Sequence, residues 1–292
     1  MTGLGNLTRR NSKLFFKDKG MFFTSLITPV ILLVLYATFL AKVYRDSFAS
    51  AVPQGFELDS SLIDATVGGQ LISSLLAVCC ITVAFCSNML MVQDKVTGAL
   101  RDITVTPVKR STLAVSYYIA TVLSTMLICL IATGAGFIYL AKAGWYLSAA
   151  DTALFVLDVI LLVLFGTALS SIINFFLSSQ GQMSAVGTIV SAGYGFICGA
   201  YMPISQFGET LQHVISFLPG TYGTSLLRNH ALAGVYQEMA DTGFPSEVIE
   251  AIKDSVDCNL YFFDSKVETG TMYLILAGST AVLIGIYIVM NL

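Results

Sequence analysis

Six stretches of this 292-residue chain run for about twenty or more positions with almost no charge: 21–41, 70–92, 112–141, 152–177, 183–202 and 271–292. As a helix rising ~1.5 Å per residue, each covers the ~30 Å hydrocarbon core of a bilayer. Backbone polar groups have no water to bond there, and a helix satisfies them within the segment. Composition agrees, at 55% hydrophobic and 11% charged against about 25% charged in soluble domains. The expectation is an all-α integral membrane protein, with residues 21–292 forming one domain of six transmembrane helices.

Charge then orients the chain. Segments 1–20 and 93–113, with the uncharged 177–182 hinge, hold nine Lys and Arg; 42–69, 142–151 and 203–270 together hold six over more than twice the length. Short loops rich in Lys and Arg stay on the cytoplasmic side. Both termini are therefore expected in the cytoplasm of a cell (plasma) membrane protein.

Residues 1–20 interleave Arg9, Arg10, Lys13, Lys17 and Lys19 with Leu7, Leu14, Phe15 and Phe16. That pattern suits an amphipathic helix in the headgroup layer, its long basic side chains reaching the phosphates. The loop 93–111 is the other basic segment, with Lys95, Arg101, Lys109 and Arg110 set against Asp94 and Asp102. In the fifth run, Gly187, Ser191, Gly195 and Gly199 recur every fourth position, a face that lets a second helix approach closely. Packing within one subunit and a seam between two subunits both fit it. Beyond Met202, the apolar positions Ile204, Phe207, Leu211, Val214, Ile215 and Leu218 read as a helix of about 14 residues, too short to span. Pro219-Gly220 ends it and a second short helix runs towards Arg228. Such a pair reads as a re-entrant hairpin between spans five and six. A small external cap follows, with Val248, Ile249, Ile252 and Val256 on one helix face.

Asp158 is the one acid inside a span. It sits about two turns from the outer end, where a structural partner or the interface would satisfy it in preference to a proton relay. His213 and His230 read as satisfied or solvent-facing, and Trp145 with Tyr146 as interface anchors. Five of the six cysteines fall in apolar runs, where Cys is a small hydrophobe; with Cys258 alone in a polar segment, neither a disulfide framework nor a metal site is expected. The sequence has no G-x-x-x-x-G-K-[ST] phosphate loop, no H-E-x-x-H and no G-x-S-x-G. This argues against ATP hydrolysis by that chemistry, a metalloprotease and a hydrolase. No catalytic residue, bound metal or cofactor is expected on this chain, and no nucleic-acid partner.

Taken together, the basic N-terminal helix, six spans, basic loop and hairpin resemble the membrane permeases of type 2 ABC exporters. The family's loop pattern is matched by Asp94, Gly98, Leu100, Thr106 and Pro107, and its hairpin pattern by Gly199, Pro203, Leu211, Pro219, Tyr222 and Arg228. Asp94 stands where Glu is usual, and Phe207-Gly208 replaces a Pro often seen entering the hairpin. The long outer segment favours the drug, antibiotic or lipid-exporting branch over the polysaccharide branch.

The resemblance implies a permease that moves an amphipathic cargo outward, powered by two copies of a separate ATP-binding cassette subunit carrying ATP and Mg. A second permease copy, identical or related, would pair across spans two and five, along the Gly187, Ser191, Gly195 and Gly199 seam. Asp94, Lys95, Gly98, Leu100, Arg101, Thr106 and Pro107 would couple to the ATPase through a 93–107 helix continuous with span three. Ser74, Thr82, Asn88, Thr188, Tyr194, Phe196 and Tyr201 are the candidates for the cargo path. The competing class is a secondary transporter, or a scaffold or receptor subunit with no ATPase; the absence of evident internal repeats speaks against the first.

Overall fold

A computed structural model describes residues 2–51, 59–263 and 265–291. Helix α1 (Thr2–Lys17) leads through Asp18 into α2 (Lys19–Leu35), whose first turn is capped by the Asp18 carboxylate accepting from the Met21 N–H at 3.1 Å. Pro29 sits inside α2 without ending it. A π-helical turn at Tyr36–Leu40 carries the helix on into α3 (Ala41–Ala51). Across the chain's centre runs α4 (Ser60–Thr97), 38 residues long. Then come α5 (Ala99–Thr104), α6 (Arg110–Ala143), α7 (Ala149–Phe175) and α8 (Gln180–Ile197).

The fold is organised around α4, which packs against α2, α6, α7, α8 and a later helix, α10 (Pro219–Asp241). Its residues Leu76, Ala77, Val78, Cys80, Ile81, Val83 and Ala84 have no exposed surface. Small side chains make this possible: Gly69 lies against Leu232 and the Ala231 carbonyl, and Gly166 of α7 against Ile81 and the Cys80 carbonyl. Close backbone approach of this kind takes the place of the hydrophobic drive that lipid does not supply. All six cysteines are free and buried.

Among the described residues, five helical segments are long and apolar enough to cross a membrane: Lys19–Asp46, Ser60–Thr97, Arg110–Ala143, Ala149–Phe175 and Thr269–Met290, the last being α12. The chain is thus a multi-pass membrane protein. The fifth run of the sequence becomes α8, 18 residues rich in Gly, Ser and Thr, which falls outside that set.

The outer segment departs from the expected pair of short helices. A 3-10 turn at Ile204–Gln206 is cut off by Phe207 and Gly208, both extended, before α9 (Glu209–Ser216) begins. The second helix is not short: α10 has 23 residues, Pro219 fills its first turn, and every residue from Gly220 to Arg228 is buried. Its polar sequence concealed this burial, because the polar groups are bonded within the protein and not to water. The cap continues with α11 (Ser246–Ser255), a two-stranded antiparallel hairpin, β1 (Leu260–Phe262) and β2 (Ser265–Val267), and then α12. Ile249 and Ile252 of α11 join Leu62 and Ala65 of α4, and Leu232, Val235 and Met239 of α10, in one apolar cluster.

Glu250 fastens this cap, accepting from Lys253 and Lys266 at 2.8 Å each. The hydrogen bonds from Lys253 and then Lys266 hold its carboxyl down at about 2. A depressed carboxyl supports the fold above its unfolded pKa near 4.3, and that support fades as pH falls through the folded value. With the side chain 46% exposed, solvent screening keeps the effect small. Hydrogen exchange across 246–267, corrected for intrinsic rates, should rise from pH 5 to pH 3 in the native protein. In Glu250→Gln that rise should be visibly flatter; identical profiles would assign the acid response elsewhere.

Candidate coupling and translocation site

At the end of the bundle where α1, α4, α6 and α7 meet, two neighbouring side chains of α4 tie the helices together. Asp94, 5% exposed, takes a forked pair of bonds from the Arg10 guanidinium, Nη1 to Oδ2 at 2.7 Å and Nη2 to Oδ1 at 3.1 Å. Tyr117 of α6 donates to the same Oδ2 at 2.5 Å. Forked, charge-assisted bonds fix geometry as well as energy, and the carboxylate raises the Arg10 guanidinium above its ordinary value against the opposing effect of burial. Asn11 adds a bond to Ser116 at 3.3 Å. On the other side, Lys95 Nζ donates to the carbonyls of Phe175 at 2.6 Å, Leu177 at 3.3 Å and Asn174 at 3.4 Å, and lies 5.3 Å from the Phe175 ring centre. A cation there meets the unpaired carbonyls at the C-terminus of α7.

Gly98 then ends α4 with φ of +84°, a left-handed conformation that a side chain would strain. The next six residues are α5, whose Leu100 and Ile103 pack on Leu90, Met91, Leu113 and Tyr117. Arg101, Asp102, Thr104, Val105, Thr106 and Pro107 are exposed, Val105 at 88%. Hydroxyl bonds close this short helix, from Thr104 to the Arg101 carbonyl at 2.8 Å and from Thr106 to the Ile103 carbonyl at 2.5 Å. The expected 93–107 helix is therefore two helices broken at Gly98. The turn at 105–109 separates α5 from α6, so α5 is not continuous with the third span. The loop residues also divide by direction: Asp94 and Lys95 face inward as ties, while Arg101, Thr106 and Pro107 face outward.

Between α2 with its π-helical turn on one side and α8 on the other lies an apolar groove of about 890 Å³, floored by Cys86 and Met89 of α4. Gly187, Thr188, Ser191, Phe196 and Tyr201 border it. The other two small residues lie elsewhere. Gly195 is covered by the Tyr201 ring, and Gly199 lies past the end of α8 in a left-handed turn with φ of +73°. Ser74, Thr82 and Asn88 are buried inside the chain, where Ser74, Thr82 and the Asn88 amide nitrogen are already partnered. Thr82 bonds back to the Val78 carbonyl at 2.9 Å, and Asn88 bonds Ser170 and Ser171 at 3.1 and 2.9 Å. Tyr194 packs inward on the Leu32 and Val78 cluster.

At the cap end, Arg228 has no exposed surface. Its guanidinium bonds Asp257 Oδ2 at 3.0 Å, the Ser74 hydroxyl at 3.1 Å and the Gly199 carbonyl. Asp257 also accepts the Ile204 N–H at 2.8 Å. Burial pushes the Asp257 carboxyl up, with Arg228 opposing. One ion pair thus joins α4, the turn after α8, α10 and the cap. A second buried set links α7, α10 and α12: His230 Nδ1 lies 2.6 Å from Asp158 Oδ2, and Tyr273 donates to Oδ1 at 2.5 Å. Asp158 therefore has structural partners, and His230 is one of them. His213 stacks on Phe263 with ring centres 4.5 Å apart. Sequence reading found Asp94 and Arg228 but missed Arg10, Tyr117 and Asp257, whose pairings span 84, 23 and 29 positions.

No curated protein matches this chain significantly. The protein-family model described as ABC-2 type transporter matches residues 2–231, from α1 through the greater part of α10. Domains of this family are the transmembrane, non-catalytic parts of ABC transporters and pair with an ATP-binding subunit. With that match covering most of the sequence, over a bundle of apolar helices, the chain belongs to the ABC-2 type transporter family and is a permease component of an ABC-type transporter.

Proposed function

We propose that this permease exports an amphipathic cargo, a drug, antibiotic, peptide or lipid, using ATP hydrolysed with Mg on two copies of a separate subunit. In this reading it crosses the plasma membrane six times, with α8 as the fifth crossing, both termini cytoplasmic and α1 at the interface. Helices α9 and α10 form the re-entrant hairpin. Two permease chains pair about the α2–α8 groove, across spans one and five and not two and five because α4 is buried within its own chain, and cargo passes between them along Thr188, Phe196 and Tyr201.

The observation that carries the reading is α5. It is a short exposed helix seated by Leu100 and Ile103 on the bundle, directly beyond a node where Asp94 and Lys95 bind three other helices to α4. A push on the outward face of α5 is thereby delivered to the central helix and not absorbed by a loose loop. The apolar groove supplies the second half of the reading, since its walls suit the apolar part of a cargo and its rim carries hydroxyls.

The test is reconstitution of the permease with its ATP-binding subunit in proteoliposomes loaded with an amphipathic dye. Dye movement should require ATP and Mg and stop with vanadate, and Gly187→Trp, which fills the groove, should cut it at least tenfold. Dye movement that is indifferent to nucleotide would overturn the reading in favour of a secondary transporter.

A further inference from the structure

Besides the α2–α8 groove, α1 and α6 border a second groove, of about 880 Å³. Gly3 and Leu4 border Pro107–Thr112, Asn11 bonds Ser116, and Phe16 and Lys17 share this groove with Ile119 and Leu123. Helix α1 therefore runs alongside the first turns of α6 in the same direction. The floor is apolar, from Leu4, Phe16, Ile119 and Leu123, and the rim carries Arg9, Lys13 and Lys17.

Those three cations stand at every fourth position and so form one stripe of α1. All three are exposed, and among the described residues none has an ion-pair partner, in contrast to Arg10 one position on. Neither wall supplies an acid: Thr2–Lys17 and Arg110–Ala143 contain no Asp or Glu. Ser12 lines the same groove, and its hydroxyl is buried without a hydrogen-bond partner. A buried, unpartnered hydroxyl beside three unneutralised cations suits an acceptor-rich anion. The apolar floor below requires that anion to carry hydrocarbon.

We propose that this groove binds one anionic glycerophospholipid of the adjacent leaflet. Its headgroup phosphate is held by Arg9, Lys13 and Lys17 and accepts from Ser12, and an acyl chain lies along Ile119 and Leu123. The lipid then fastens α1 to α6, in addition to the Arg10–Asp94 pair that ties α1 to α4. This goes beyond the transport reading and stands whether or not the cargo assignment does.

Brominated lipids test it in the full-length permease in nanodiscs. With Trp145→Phe removing the native indole, Leu123→Trp places a reporter in the groove and Ile286→Trp places one on the lipid-facing side of α12. The groove reporter should be half-quenched at a mole fraction of brominated phosphatidylglycerol about fivefold or more below that of brominated phosphatidylcholine. The α12 reporter should show no such preference. Lys13→Gln with Lys17→Gln should abolish the preference while leaving a monodisperse elution profile, and Lys13→Arg with Lys17→Arg should retain it. Equal quenching by both lipids at the groove would overturn the proposal. So would a phosphatidylglycerol preference of the same size at both reporters, or one that survives loss of the two lysines; the first of these would signify general surface enrichment.

Discussion

Arg228→Met is expected to lower the unfolding midpoint of the purified permease by about 10 °C, the largest stability effect of any single side chain considered. The guanidinium is wholly buried and serves Asp257, Ser74 and the Gly199 carbonyl at once. Removing one partner of a buried pair costs about 3–5 kcal/mol, because the other charge stays behind without compensation, and ~1 kcal/mol shifts a chain of this size by a few degrees. The sign of the pH dependence follows from Asp257. Without Arg228, burial acts on its carboxyl unopposed, so the group is raised further and folding costs most where the unfolded carboxyl is fully ionised. The variant should therefore be nearer to the native protein at pH 5 than at pH 8. Adding Asp257→Leu should recover part of the loss. A thermal midpoint within about 2–3 °C of native, or ~1 kcal/mol, would show that the pair is not holding the cap.

Leu100→Asp combined with Arg101→Glu is expected to disconnect the permease from its ATP-binding subunit while leaving it folded. No residue of α5 is buried, so the change does not open the core. It unseats the helix from Leu90, Met91, Leu113 and Tyr117 and inverts a charge on the outward face. A loss of about 3 kcal/mol at such a contact weakens the complex about a hundredfold. Pull-down with the ATP-binding subunit and nucleotide-driven dye efflux should fall together, with the elution profile unchanged. Normal efflux by this variant would remove α5 from the coupling role.

The contrast between these two sites shows how far the sequence could be read. Local pattern was enough for five of the six expected apolar spans, because lipid imposes length over a few tens of residues. It was enough, too, to single out Gly98, Leu100 and Arg228. It did not reveal that Asp94 and Lys95 turn inward, since their partners Arg10, Tyr117 and the α7 carbonyls are distant in the chain. Length was misjudged at α10, read as a short helix towards Arg228, where Thr, Ser, Asn and Arg side chains are bonded in the interior of a 23-residue helix. The split of α9 from the turn at Ile204–Gln206 also went unread, because the apolar spacing runs on across Phe207 and Gly208 as though the helix were unbroken.

Helix α4 carries one further consequence. Its 38 residues make an unbroken shaft of about 57 Å at ~1.5 Å per residue, nearly twice the thickness of a bilayer's oily layer. One tip is embedded in the cap through Leu62 and Ala65, and the other stops one glycine short of α5. The two watery faces therefore share a single mechanical part. In the proposed transport cycle, whatever grips the cap holds the same object that α5 would move, and thermodynamic reciprocity makes each hand feel the other.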